Sequence, residues 1–364
     1  MRIPCIFSRL MVCIGVSVLV RLMGRAIARL VLTNNTSYRY MIGQNMKQIL
    51  TIGRYFKSRY RQMVRKVPIS LQGFTCPNID GSVAKGGCTY CKNETFSPSL
   101  SGLEQSSINM NLNLSYNPIL ETQIETLKSQ FYHYTKSHSE RFGTDRYMVY
   151  FQSFSNTYAT YDTLKTLYDE ALRLPNVIGL SIGTRIDCIE DRILTLLGDY
   201  AKDKSDIWLE YGIQSIFDST LRLINRGHGI DGAKELVQKT RSHGIKVCVH
   251  LIYGLPKESD DMMIASLKEV LSWEIDGIKI HPLYIVKDTA MEKMYNAGKY
   301  EPISLENYAD LIVQSLKLMP HDVVVQRISA GAHDSSLIAP KWCFDKNIQM
   351  RYIRDRLLEN GISY

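Results

Sequence analysis

Short runs rich in β-branched and aromatic residues alternate along the chain with stretches whose apolar positions recur at the helical period. The runs 67–74, 146–153, 177–184, 206–213, 246–253 and 277–284 predict six strands. Residues 119–142, 161–174, 190–200, 218–224, 232–243 and 260–273 predict the helices among them, and 305–318 and 345–359 two more beyond the last strand. Strand then helix, repeated, argues for crossover units and a parallel sheet. The expected architecture is α/β: a partial (β/α)6 TIM-like barrel with N-terminal and C-terminal extensions. Barrels of this kind carry their chemistry at the C-terminal ends of the strands. Residues 93–115 are polar, lack a period and predict a loop.

Composition adds a boundary. A chain of 364 residues with 45% hydrophobic content can bury one large core and carry additions. We divide it into an extension (1–45), a basic aromatic segment (46–66), the barrel core (67–285) and a C-terminal helical extension (286–364). The net charge of +8 is unevenly spread: residues 1–79 hold 13 Lys and Arg and no Asp or Glu, leaving 31 basic against 36 acidic residues beyond them. Arg21, Arg25 and Arg29 line one helical face in the extension, and the apolar run 10–20 is too short to span a bilayer. This start could be an organelle-targeting or membrane-surface segment, or an upstream extension with synthesis beginning at Met41 or Met46; the second is the expectation. From Lys47 to Lys66, the cations Arg54, Lys57, Arg59, Arg61 and Arg65 interleave with Tyr55, Phe56 and Tyr60. They could meet phosphates and stacked bases, as tRNA would present them, or form a solvated basic helix that packs its aromatics on the core. Eight cysteines in an enzyme-like composition suit the reducing cytoplasm, with no firm membrane association.

The sharpest chemical signal is Cys76, Cys88 and Cys91, in the pattern C-x11-C-x2-C with Gly81, Gly86 and Gly87 between the first thiol and the pair. Three thiolates are one short of a closed zinc site or a fully protein-ligated cubane. A [4Fe–4S] cluster on three cysteines keeps one iron open to an outside ligand. A zinc knuckle or redox pair remains an alternative on the triad alone. The first predicted strand ends just before Cys76, which would place the triad at the catalytic rim.

Ordered motifs then carry a resemblance: Gly73-Phe-Thr-Cys-Pro-Asn, Gly86-Gly-Cys-Thr-Tyr-Cys, Tyr150-Phe-Gln-Ser, Gly183-Thr-Arg-Ile-Asp-Cys, Trp208-Leu-Glu-Tyr-Gly-Ile-Gln-Ser, Ile224-Asn-Arg-Gly-His, His250-Leu-Ile-Tyr-Gly-Leu-Pro, Ile278-Lys-Ile-His-Pro-Leu and Gln326-Arg-Ile-Ser. From about Lys47 onward the chain resembles the YhcC/YtqA family of radical S-adenosylmethionine (SAM) proteins, a branch close to the catalytic subunit of Elongator. The resemblance implies a radical SAM barrel in which Cys76, Cys88 and Cys91 ligate a [4Fe–4S] cluster and the open iron chelates SAM. A one-electron reductant such as flavodoxin or ferredoxin would drive cleavage to a 5′-deoxyadenosyl radical, and the Elongator relationship implies work on tRNA wobble uridine.

Strand ends supply further candidates. Where many relatives hold the methionine amine with a Gly-Gly-Glu type motif, this chain has Gln152, Ser153, Ser155 and Asn156. Arg185 and Asp187 suit the cofactor's carboxylate or ribose, and Glu210 and Gln214 its ribose or methionine, unless Arg185 and Glu210 form a structural ion pair. Arg226 suits an anion of cofactor or substrate, and His281 lines the same pocket. His228 and His250 could donate protons, although single histidines are more often structural. Cys188, Cys248 and Cys343 are scattered and read as buried thiols. Two rival functions stay open: a radical enzyme acting on a small molecule or protein, and a non-catalytic iron–sulfur or zinc protein that senses redox state or recruits a partner.

Overall fold

The computed structural model describes residues 46–92, 108–112, 114–203, 205–332 and 334–364. The expected extension 1–45 and most of the predicted 93–115 loop lie outside them. Within that loop Met110 is buried and its amide donates to the Gly73 carbonyl at 2.6 Å, tying the segment to the cysteine loop.

Seven parallel strands stand side by side in sequence order: β1 (Val64–Ile69), β2 (Arg146–Phe151), β3 (Val177–Thr184), β4 (Asp206–Gln214), β5 (Lys246–Tyr253), β6 (Gly277–Pro282) and β7 (Val324–Arg327). The six expected strands are present, the first starting three residues earlier than its pattern suggested. β7 is an addition. It falls in the stretch expected to be purely helical, and its four residues Val-Val-Gln-Arg have too little alternation to identify a strand by themselves. Pairing with β6 through Gly277↔Val324 and Ile278↔Val325 makes it one.

α1 (Ile52–Tyr60) precedes the sheet, α2 (Leu120–Phe142), α3 (Tyr161–Leu172), α4 (Asp191–Lys202), α5 (Ala233–Ser242), α6 (Asp260–Ser272) and α7 (Leu305–Leu318) cross over outside it, and α8 (Lys346–Glu359) follows its last strand. The period-2 pattern explains the layering. Val67, Val149, Leu180, Leu209, Val249 and Ile278 belong to the large apolar core shared by strands and helices. The alternate positions turn into the lumen. No helix among the described residues is long and apolar enough to cross a membrane.

The sheet curls far enough for its two edges to meet through side chains, with Lys66 of β1 bonded to Gln326 of β7 at 2.6 Å. α1 caps the end at which the strands begin. Its first turn is fixed by Thr51 Oγ1, which accepts from the Arg54 amide, and Arg61 ends it in the left-handed region at φ 60°. Phe56 packs with Met148, Trp208, Cys248 and Val324, an apolar plug in the strand-start end of the lumen. Tyr55 and Tyr60 both donate to Asp206 at 3.0 Å. The aromatics of the basic segment therefore face the barrel, as the packed-helix alternative anticipated, and do not form an exposed stacking platform. Three of its cations are committed inward as well: Lys47 to the Lys317 and Met319 carbonyls, Arg54 to those of Ile49 and Ser363, and Lys66 to the lumen.

Candidate active site

A cavity of about 580 Å³ runs from the C-terminal rim of the sheet down into the lumen, and Cys76, Cys88 and Cys91 all line it. Cys76 caps a four-residue helix (Pro77–Asp80) beyond β1. The loop to Cys88 turns back at Gly86 and Gly87, which occupy left-handed φ of 83° and 74°. These glycines fix a tight return rather than loosening the backbone. The Gly87 amide then reaches the Asn78 carbonyl at 2.8 Å.

The motif Asn225-Arg-Gly-His supports this loop from below. Asn225 Nδ2 donates to the Gly87 carbonyl at 2.7 Å, Asn78 Nδ2 returns a bond to the Asn225 carbonyl, and the Thr89 amide donates to the Ile224 carbonyl at 2.9 Å. Arg226 is 6% exposed; it donates to the Gly212 carbonyl at 2.7 Å and to Cys88 Sγ at 3.7 Å. An added Cβ at Gly212 would lie 2.7 Å from Gln214 Nε2 and 3.0 Å from the Arg226 guanidinium, so glycine leaves both side chains room at this point. Arg185, 3% exposed, is locked by two bonds to Asp187 at 2.7 and 2.8 Å. Its Nη1 has no hydrogen-bond partner. Burial pushes the Cys76 thiol up, and Arg185 beside it pulls it back down.

The six cysteines among the described residues form no disulfide. Among those residues no three His, Cys, Asp or Glu side chains converge as ligands of one metal ion. A cubane instead spreads its thiolates over separate irons, so three cysteines on one cavity wall beside two buried cations fit a cluster better than a single zinc. Cys188, Cys248 and Cys343 are all buried, at 2%, 0% and 1% exposure, as the sequence suggested.

The strand-end candidates separate into two groups. Gln152, Ser155, Arg185, Gln214, Arg226 and His281 line the cavity. Asn156 instead holds the Gly183 carbonyl at 3.0 Å, and Ser153 Oγ bonds Ser70 Oγ at 2.5 Å. Both look away from the space a cofactor would fill.

Glu210 has a position that its motif alone did not reveal. It is 1% exposed, and each carboxylate oxygen already has protein partners. Oε1 accepts from Lys66 and Ser181 at 2.6 Å each; Oε2 accepts from Lys279 and from His250 at 2.8 Å. Lys279 also reaches the Tyr150 hydroxyl at 3.0 Å. Burial would raise the Glu210 pKa, but the two ammonium groups hold it well below the usual carboxylate range. Burial pushes Lys66 down to about 8 despite Glu210, and it pushes His250 down to about 4. The cluster is therefore a carboxylate shared by two lysines and a neutral imidazole, with Lys66 three residues below the end of β1, roughly 10 Å along the strand. Ser181, Tyr150 and Lys279 were not singled out from the sequence, and Lys66 was grouped with the basic segment. A signal was present: single ionisable residues at inward positions of apolar strands have to meet one another.

Comparison with known proteins agrees with this geometry. Residues 82–270 match the model of the radical SAM superfamily, and residues 275–359 that of the radical SAM C-terminal domain. Protein YhcC of Escherichia coli (strain K12) is 34% identical over 319 residues, covering 88% of this chain and 95% of that protein. Elongator complex protein 3 of Homo sapiens is 26% identical over 323 residues, and the match covers 80% of this chain and 58% of that one. The solved archaeal Methanocaldococcus infernus Elp3, lacking its N-terminal residues 1–46, superposes with a TM-score of 0.54 at 17% identity, over 82% of this chain and 64% of that structure. Similarity over nearly the whole length of YhcC, together with a superfamily match across more than half the chain, makes this protein a radical SAM enzyme of the YhcC/YtqA family, whose cofactors are a [4Fe–4S] cluster and SAM.

Proposed function

We propose that the enzyme modifies the side chain of a tRNA wobble uridine in the cytoplasm, drawing one electron at a time from a flavodoxin- or ferredoxin-like reductant. The observation that carries the reading is the continuous cavity between the cysteines and a polar lumen, in a chain related to Elongator complex protein 3. Its volume suits a single extruded nucleoside rather than a folded polymer.

Cys76, Cys88 and Cys91 would hold the cluster. When bound, cluster and SAM supply a carbon-centred radical that removes one hydrogen atom from the substrate. The chain's own residues prepare that event. Arg226 places positive charge against Cys88, and the Arg185–Asp187 pair presents Nη1 of the guanidinium to the cofactor's acceptors. Gln152, Ser155, Gln214 and His281 offer further polar contacts along the wall. Glu210 is saturated by protein partners, so its work is to set the lumen's lysines in place rather than to hold ribose.

A second reading, a small-molecule substrate, is favoured by the inward packing of Tyr55, Phe56 and Tyr60, which removes the aromatic platform expected for RNA. One experiment separates the two. Reconstituted anaerobically with iron and sulfide, then reduced, the enzyme is given SAM with and without tRNA from a strain lacking its gene. Formation of 5′-deoxyadenosine that rises with tRNA, and is absent in Cys88→Ala, supports the tRNA reading. Cleavage indifferent to tRNA moves the substrate to another class. No cleavage with an intact cluster in either case sinks the tRNA reading.

A further inference from the structure

The lumen carries more positive charge than the protein neutralises. Besides Arg185 and Arg226, the cations lining the cavity are Lys66, Lys279, the half-buried Arg327 and the exposed Lys346, and its one carboxylate is Glu210. Glu210 pairs with both Lys66 and Lys279, while Arg327 and Lys346 form no ion pair among the described residues. Two polar atoms on the same wall, His281 Nε2 and Gln326 Nε2, are buried without a hydrogen-bond partner. A buried ammonium such as Lys279 and open buried polar atoms cost free energy unless a partner or ligand completes them.

From this we infer that the lumen is a recognition pocket for a compact anionic group, a carboxylate or phosphate, on the molecule that the radical attacks, with Lys279 and Arg327 as its cationic contacts and Lys66 holding Glu210 beside them. The inference rests on the cavity being where substrate meets the radical. Tyr150 shapes the pocket from one side: its ring faces both ammonium groups, 5.0 Å from Lys66 and 4.4 Å from Lys279. Lys66 already spends its three donors on Glu210, Ser181 and Gln326, whereas Lys279 spends two, on Glu210 and the Tyr150 hydroxyl, so an anion entering above Glu210 would take the third proton of Lys279. Two sources of such an anion exist, the substrate and SAM itself. The rim already offers Arg185 and Arg226 to the cofactor's carboxylate, whereas Lys66 lies roughly 10 Å lower along β1.

Acetate and inorganic phosphate serve as probes, titrated calorimetrically at low salt against the cluster-loaded enzyme. SAM binding is followed in parallel by equilibrium dialysis, and neither readout depends on turnover. The expected result is that the wild type binds at least one probe with SAM present. Arg327→Met and Lys279→Met should each weaken it by at least about tenfold and leave SAM affinity within about twofold. Arg327 is half-buried at the end of β7 and makes no ion pair among the described residues, so its substitution preserves the fold even where loss of Lys279 does not. Three results overturn the inference: no probe binding by the wild type, binding that both variants retain, or a SAM affinity that falls with the probe affinity. The last would assign the lumen to the cofactor. None of these bears on whether the enzyme cleaves SAM, so the radical chemistry stands or falls separately.

Discussion

Glu210 is the residue on which the lumen turns. Removing its charge would leave two buried ammonium groups without a counter-ion, and breaking a buried pair of this kind costs about 3–5 kcal/mol. We expect Glu210→Gln to lower the urea-unfolding free energy by that order, and the double variant Glu210→Gln/Lys279→Met to recover part of it. Equal stability of the single variant and the wild type would mean that the lysines shed their protons instead. Lys66 makes a pH-dependent contribution whose sign follows from its lowered pKa. Between about 8, its folded value, and its ordinary 10.5, the unfolded chain binds more protons than the folded one. Stability from this group therefore rises with pH across that window and is depressed below it. The difference in unfolding free energy between wild type and Lys66→Met, measured from pH 7 to 10, should grow in favour of the wild type by the slope of one proton.

Among the elements, the cysteine loop depends on a neighbour far away in sequence. Gly227 has φ +79°, and an added Cβ would fall 2.1 Å from Asn78 Oδ1. Gly227→Ala should therefore push Asn78 off the Asn225 carbonyl and unpin the Cys88 turn. The expected outcome is a stability loss of more than about 1 kcal/mol, together with less iron bound per chain after reconstitution. Full iron content would show that the cysteine loop holds its shape without this support. The strands were legible element by element where the inward and outward positions alternate over six or more residues. β7 was not, because four residues give no period, and only the hydrogen bonds offered by β6 make them a strand. Gln326 had been noticed as part of a motif, yet its place opposite Lys66 exists only once the sheet has curled.

For the molecule as a whole, the fold sets the cations of the basic segment at the opposite rim from the cysteines. α1 covers the strand starts, where Asp206 begins β4, while Cys76 follows the end of β1. Lys57 and Arg61 are the cations of that segment that are exposed and take no part in an ion pair among the described residues. Arg59 is exposed but lies against Tyr60 and Asp206, and Arg65 stacks over Phe142. If tRNA crosses this rim, reversing Lys57 and Arg61 to Glu should weaken binding and flatten the dependence of log affinity on log salt by roughly two units. An unchanged slope removes this face from RNA recognition.

Spacing and period alone determined the strand–helix alternation, the parallel sheet and the cysteine triad at its rim. These are local facts: hydrophobic period records which face of an element is buried, and a ligand loop keeps its cysteines close in sequence. Tertiary structure decided what each polar residue serves. Lys66, Ser181, Glu210, His250 and Lys279 come from five different strands. Their meeting depends on sheet curvature and strand stagger, which no single segment encodes. The same is true of Arg226, whose approach to Cys88 depends on the Gly212 carbonyl it bonds and the turn made by Asn225. A charge inside a strand announces that a partner exists; only the closed packing of the barrel says which one.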